Sequence, residues 1–351
     1  MTKNEKLRIK NNDKLGLLGN LSTMITAGIP ILETVDSLLE DSKGNTKRIL
    51  AVMREDMVQG QHIYSSFSKF PEVFDKVTVN VLKASEEAGT LDAALKDLKT
   101  QIQKEMEFND KIKGALAYPV IILIVFMGVL LLILVVVIPK ISTIFISLKV
   151  PLPLPTKVLI FASNALMNHT IIVAIGTIIL VGMVIFLFKT QRRIIMSVIY
   201  KFPVISTLVK EIDLARFSRS MYLLLTSGIT ITNALELSEE VVARRDIASA
   251  IKYAREMVLG GKNLSQGFKD QRKVFSSIII KIIEAGEKTG TLDKSMQDIS
   301  IQQDYRVDNS LKTVTTLIEP VMLVFVGLLV GGVMLSIIAP MYGLIGQVGG
   351  M

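Results

Sequence analysis

Apolar positions along the chain follow two patterns. In some stretches they recur every three to four residues between charged and polar neighbours. In others they run on with no charge at all. Three stretches are of the second kind, at residues 118–138, at 170–188 and from 320 onward. The middle one extends a run that is free of charge from Lys157 onward. A helix needs about 20 apolar residues to cross the hydrocarbon core of a bilayer. One Lys or Arg at the centre of such a helix costs roughly 2.5–3.5 kcal/mol. Clean runs of this length therefore predict transmembrane helices at 118–138, 170–188 and 320–341. Core helices of a soluble protein would show the same runs, but three of them in a chain of 351 residues would be exceptional. Pro119 and Pro320 are expected near the first turn of their spans, where a missing N–H costs little. Gly327 and Gly331 form a G-x-x-x-G in the third span, a spacing that lets two helices approach closely. Packing within the chain and packing between two copies both fit it.

The polar stretches read as helical. Leu15, Leu18, Leu21 and Ile25 keep a helical period until Gly28 stops it, and Pro30 suits the first turn of the next helix. Phe217, Met221, Leu224 and Leu225 lead to Gly228 in the same way. No alternating run argues for strands.

The resemblance between those two places extends further. Ala27-Gly28-Ile29-Pro30-Ile31-Leu32 matches Ser227-Gly228-Ile229-Thr230-Ile231-Thr232 at an offset of 200 residues. Gly89-Thr90-Leu91-Asp92 matches Gly290-Thr291-Leu292-Asp293 at 201, as do Phe67, Phe74 and Pro119 with Phe268, Phe275 and Pro320. The chain is thus an internal repeat whose unit is a helical domain followed by a span, with one insertion separating the two registers. In each unit a glycine breaks the chain, Thr90 or Thr291 can cap the next helix, and Asp92 or Asp293 falls in its first turn.

Charge then sets an orientation. Lys104, Lys111 and Lys113 precede the first span. Lys189, Arg192, Arg193 and Lys201 follow the second, and Arg306 and Lys312 precede the third. The stretch 139–169 holds only Lys140, Lys149 and Lys157, and nothing after Met341 is charged. Basic residues gather on the cytoplasmic side. The expected plan is an all-α membrane protein with two homologous cytoplasmic helical bundles, at 1–117 and 189–319. Three transmembrane helices, a short external loop at 139–169 and an external tail at 342–351 complete it. The net charge of +8 follows from this topology and needs no nucleic acid.

Composition removes most chemistry. Cysteine is absent, so no disulfide, thiol nucleophile or cysteine metal site exists. The two histidines, His62 and His169, are far apart in sequence, which leaves no expected metal site. Residues 1–12 are polar and basic with no apolar run behind them, unlike a signal peptide. Gly261-Lys262 is followed by Asn263, not by Ser or Thr, and residue 256 is Glu256, so no phosphate-binding loop is present. There is no H-E-x-x-H and no G-x-S-x-G. No catalytic residue and no cofactor are expected.

At these residues the chain resembles the GspF/PilC family of polytopic inner-membrane proteins, found in type II secretion systems and type IV pilus machines. Glu86-Glu87-Ala88-Gly89-Thr90-Leu91 and Glu287-Lys288-Thr289-Gly290-Thr291-Leu292 are similar to that family's Gly-Glu-x-x-Gly-x-Leu signature. The second copy keeps Gly286, whereas Ser85 stands in the first. Pro139 with Phe145, then Leu152-Pro153-Leu154-Pro155-Thr156, resemble the family's external loop. Phe202-Pro203-Val204 and Ala215-Arg216-Phe217-Ser218-Arg219 resemble the start of its second domain, with Ser206 near a common glycine. Tyr118-Pro119 and Glu319-Pro320 resemble the starts of its repeated spans. The likeness runs from about Leu15 to Met351, and many members carry a further segment before the first domain.

The resemblance implies a non-catalytic platform in the bacterial inner membrane; the basic residues about the spans predict a cytoplasmic N-terminus and an external C-terminus. Its implied partners are a cytoplasmic hexameric assembly or secretion ATPase, pilins or pseudopilins, other inner-membrane subunits and further copies of itself. The loops at Glu86, Gly89 and Leu91 and at Glu287, Gly290 and Leu292 are the expected partner contacts. A purely structural loop, with glycine for the turn and a carboxylate for backbone N–H groups, fits the same residues. Arg216 and Arg219 read as a solvated or headgroup-facing stripe, or else as a site for an acidic partner. Arg244 and Arg245 read as a solvated pair with Asp246. His62 reads as an ordinary surface or packed residue. An oligomeric transporter or channel subunit is the alternative, although no span carries a charge in its interior.

Overall fold

The computed structural model describes residues 7–147, 154–168, 183 and 202–348 of the chain. All regular elements among the described residues are helical. The chain divides into two units, Met1–Lys111 with Thr207–Ser310, and Ile112–Ser206 with Leu311–Met351.

In chain order the first repeat supplies α1 (Asn11–Thr26), α2 (Ile31–Asp41), α3 (Gly44–Val58), α4 (Ile63–Ser68), α5 (Lys76–Ala88) and α6 (Leu91–Leu132). A π-helical turn (Ile133–Val137), α7 (Ile138–Ser147) and α8 (Leu154–Asn168) follow. The second repeat supplies α9 (Pro203–Thr226), α10 (Ile231–Glu239), α11 (Arg245–Leu259), α12 (Leu264–Lys269), α13 (Ser277–Thr289) and α14 (Leu292–Val348). The expected repeat is therefore present element by element. The register shifts in the α2–α3 connection, where Ser42 and Lys43 are matched by the longer stretch 240–244.

In the first unit both repeats bury their apolar stripes in one core. Phe67 and Phe74 meet at 4.4 Å between ring centroids, and the matching Phe268 and Phe275 at 4.0 Å. Phe217 adds an edge-on contact to each of the second pair, where the first repeat has Leu17. Both α1 and α9 end as expected on a glycine, Gly28 and Gly228, each with φ +82°. Ile29 N–H then reaches back to Met24 O at 3.1 Å, and Ile229 N–H to Leu224 O at 3.0 Å, closing the open carbonyls of the last turn.

The extra connection of the second repeat is anchored on a buried acid. Asp213 Oδ2 accepts from Ala243 N–H at 2.9 Å and from Arg244 N–H at 2.7 Å. Among the described residues its Oδ1 has no hydrogen-bond partner. Burial pushes the Asp213 carboxyl up. The two N–H donors and the Arg216 and Arg244 guanidinium groups pull it partly back. The matching Asp13 of the first repeat is exposed.

Among the described residues, two helices are long and apolar enough to cross a membrane, one within Leu91–Thr143 and one within Leu292–Leu335. In the second unit their apolar side chains are largely bare: Ile124 is 65% exposed and Leu328 72%. Neither helix restarts at its proline. Pro119 and Pro320 are each the twenty-ninth residue of a continuous helix rather than part of a first turn. The polar helix simply runs on into the apolar one, so each proline leaves a carbonyl, of Ala115 and of Thr316, without its helical N–H partner. Pro119, Ile122, Ile318 and Met322 line a cleft of about 90 Å³ where the two helices meet. Much of the stretch 139–169 is helical, within α7 and α8. The span expected at 170–188 lies outside the described residues apart from Met183.

Candidate functional site

The twice-repeated glycine loop joins α5 to α6 and α13 to α14. Gly89 has φ +72° and Gly290 +70°, a left-handed conformation that a side chain disfavours. Thr90 N–H donates to Ser85 O at 2.8 Å and Thr291 N–H to Gly286 O at 2.9 Å, so each loop closes on the helix before it. Thr90 and Thr291 stand just before the next helix, and their carbonyls accept from Ala94 and Ser295 N–H. The Thr291 hydroxyl itself meets Thr289 Oγ1 at 2.7 Å. Asp92 and Asp293 occupy the first turns of α6 and α14, and Leu91 and Leu292 pack on the core.

The two glutamates make one arrangement twice. Glu86 accepts from Ile63 N–H at 3.0 Å and Tyr64 N–H at 3.3 Å, beside His62 Nδ1 at 3.3 Å. Glu287 accepts from Leu264 N–H in a very short bond and from Ser265 N–H at 3.0 Å. Each carboxylate thus caps the short helix α4 or α12, a job that no side chain at the caps His62 and Asn263 performs. The carboxylates fix the loop, and the exposed neighbours Glu87 and Lys288 face solvent beside them. His62 is itself exposed and stacks on Tyr64 at 5.4 Å.

Ser85 in place of glycine has a local explanation. In the second repeat, a Cβ at Gly286 would lie 2.3 Å from Ser295 Oγ, 2.8 Å from Ser295 Cβ and 3.1 Å from Leu292 Cα. In the first repeat Ala94 stands opposite instead of a serine. Ser85 fits there, its hydroxyl donating back to Val81 O at 2.8 Å.

A charged cleft of about 530 Å³ lies between the repeats, lined from α6, α9 and α14. Arg219, expected as part of a solvated stripe, is only 16% exposed and pairs with Asp304 at 2.5 Å. Lys104 shares that carboxylate at 3.2 Å. Helix α9 turns this face against α6 and α14, so the arginine needs a carboxylate there instead of water. Lys111 pairs with Asp308 and Lys76 with Glu240, both at 2.7 Å. Arg216 lines the same cleft from an exposed position. Arg244 is equally shielded and grips Asp246 through Nε at 3.0 Å and Nη2 at 2.7 Å, which holds the Asp246 carboxyl below its ordinary value.

One buried acid belongs to the first repeat alone. Asp56 accepts from Ser66 Oγ at 2.7 Å and Lys69 Nζ at 2.6 Å. The matching positions are Met257, Gly267 and Asp270. There α11 and α12 instead meet so closely that a Cβ at Gly267 would lie 2.8 Å from Ala254 Cα. Space beside Gly327 and Gly331 is open to 4 Å among the described residues. Also among these, no group of three or more metal-ligating side chains occurs.

A family model described as "Type II secretion system (T2SS), protein F" matches the chain twice, over residues 17–139 and 217–340. The chain belongs to this family. Each match begins within the first helix of one six-helix set and runs through the apolar stretch of its last helix, so the two matches follow the repeat read from the sequence. Among relatives, the chain is similar to the type IV pilus assembly protein PilC of Myxococcus xanthus, with 29% identity over 97% of this chain and 82% of that protein. It is 30% identical to the PilC of Thermus thermophilus, over 93% of this chain and 81% of that one. The type II secretion system protein F of Vibrio cholerae is 24% identical, over 95% and 82%. Like its relatives' systems, the chain is tied to a membrane: the two apolar helices among the described residues leave most of their side chains unburied.

Proposed function

We propose that the chain is the inner-membrane platform of a type IV pilus or type II secretion machine. The observation that carries this reading is the match along nearly the whole chain to proteins named for type IV pilus assembly and type II secretion. In this role it performs no reaction. It passes the movement of a cytoplasmic hexameric ATPase to pilins or pseudopilins drawn from the membrane, alongside other inner-membrane subunits and further copies of itself.

The topology that suits the role has three spans, both repeats and the N-terminus in the cytoplasm, and the stretch 139–169 and the C-terminus outside. The distribution of Lys and Arg about the apolar runs supports it. The loops at Glu86, Gly89 and Leu91 and at Glu287, Gly290 and Leu292 are the proposed contacts for the motor. Support comes from their duplication and from the way each is tied to two helices, which gives a rigid surface for transmitting force. Gly327 and Gly331 are the proposed contact between copies, since nothing described fills the space beside them.

Deleting the chain from its host should abolish filament assembly or secretion while the ATPase and pilins still accumulate. Single cysteines placed at Glu87, Lys288 and Lys157 in this cysteine-free chain should report topology. The first two should react with a membrane-impermeant reagent only after the cells are opened, and the third in intact cells. Normal filaments and secretion without the chain, or a cysteine at Lys288 that reacts from outside, would contradict the reading.

A further inference from the structure

The first apolar span changes its helical register at one place. From Ile133 to Val137 the helix widens into a π-helical turn, and Ile138 N–H donates to Ile133 O five residues back. The next residue is Pro139, which has no N–H. In that register its missing donor would have served Leu134 O. The Ser163 hydroxyl of α8 donates to this same carbonyl at 2.5 Å, and Ser163 is buried. The hydroxyl of one helix thus stands in for the amide that the proline lacks in another.

The other span prolines show that this is not a general response to proline. Pro119 lies inside α6 and Pro320 inside α14, both without a π turn. Pro340, at the position matching Pro139 in the second repeat, lies within α14, which is α-helical from Leu292 to Val348. In the first repeat α8 packs on the turn and supplies the donor. An unsatisfied carbonyl is costly inside a bilayer because no water replaces the lost donor. π turns of this kind are also places where helices bend.

We propose that the Ile133–Val137 turn is a hinge in the first span, and that Ser163 is its latch, holding the π register by donating to Leu134 O in place of Pro139. With the latch made, α7 and α8 move with the span. With it broken, the turn gains access to other registers and α7 can swing. The proposal rests on the reading of this segment as membrane-spanning, not on any partner of the platform.

The test uses the full chain in phosphatidylethanolamine–phosphatidylglycerol vesicles, carrying Ser163→Ala, Pro139→Ala or both. Ser163→Ala should speed amide hydrogen exchange over residues 133–147 about tenfold, the response to losing one bond from a buried acceptor. Pro139→Ala restores the missing N–H, so adding Ser163→Ala to it should change exchange by less than about twofold. If Ser163→Ala alone fails to accumulate, the double variant should accumulate as Pro139→Ala does. Equal acceleration in both backgrounds overturns the latch, as does no acceleration in the wild-type background. So does a double variant that is lost while Pro139→Ala accumulates.

Discussion

Replacing Gly286 with serine should destabilise the second repeat, although serine is the better helix former. Glycine in a helix interior costs about 0.5 kcal/mol relative to serine by propensity alone, so an open site would gain from the change. The site is not open. The new Cβ would sit 2.3 Å from Ser295 Oγ, 2.8 Å from Ser295 Cβ and 3.1 Å from Leu292 Cα. All three lie inside the contact distance of about 3.5–4.0 Å. Two of them are not the ends of flexible chains, so α13 and α14 must part. Overpacking of this kind costs about 1–3 kcal/mol, which exceeds the propensity gain and leaves a net loss of about 0.5–2.5 kcal/mol. For a unit of this size that is roughly a 1–10 °C fall in the unfolding midpoint of the detergent-solubilised chain. The first repeat shows the remedy, with Ser85 opposite Ala94. Adding Ser295→Ala removes the 2.3 Å contact and should recover about 1 kcal/mol beyond the sum of the single changes. The reasoning is refuted if Gly286→Ser raises the midpoint, or if the two substitutions are additive within about 0.5 kcal/mol.

Three further outcomes follow from the same contacts. Gly290→Val places a β-branched residue at φ +70° and should lower stability by at least about 1–2 kcal/mol. It should also impair filament assembly or secretion, as read by surface pilin or secreted product against a level blot. Glu287→Ala leaves two N–H groups of α12 uncapped and should cost about 1–3 kcal/mol, whereas Glu287→Gln retains an acceptor and should cost less. Asp213→Ala strands Ala243 and Arg244 N–H and should likewise destabilise, while Asp213→Asn keeps the acceptor without the buried charge. Because the folded Asp213 carboxyl titrates above its ordinary 3.8, the folded state holds this proton more tightly. Its contribution therefore falls as pH rises from 3.8 through the raised value, and Asp213→Asn should gain on the wild type over that window in midpoint-against-pH curves.

What was legible in the sequence was whatever repeats locally. Gly28, Gly89 and their partners announce helix ends because a left-handed residue is needed there whatever the surroundings. Phe67, Phe74 and their partners mark a core for the same reason: burial favours large apolar side chains. The absence of alternating runs gave an all-helical chain, and uncharged runs located the two described apolar helices. Roles that depend on a second element were not legible. Glu86 and Glu287 had two open readings until α4 and α12 were seen to place their N–H groups on them. Arg219 resembles any surface arginine until α14 brings Asp304 to it from 85 residues away. Asp213 matches an exposed Asp13 and becomes buried only because the longer connection folds over it. The prolines were misplaced for a related reason. A proline suits a first turn, but a long polar helix that continues into an apolar one has no first turn at the membrane to offer it.

The platform reading is tested most directly by photocrosslinking in living cells from Glu87 and Lys288, the exposed neighbours of the two capping glutamates. These positions carry the probe without disturbing the α4 and α12 caps. With the machine's other subunits expressed, mass spectrometry of the adducts should recover a hexameric assembly or secretion ATPase from at least one of the two positions. Adducts with lipid and with the chain itself alone, from both positions, would contradict the proposal that these loops receive the motor.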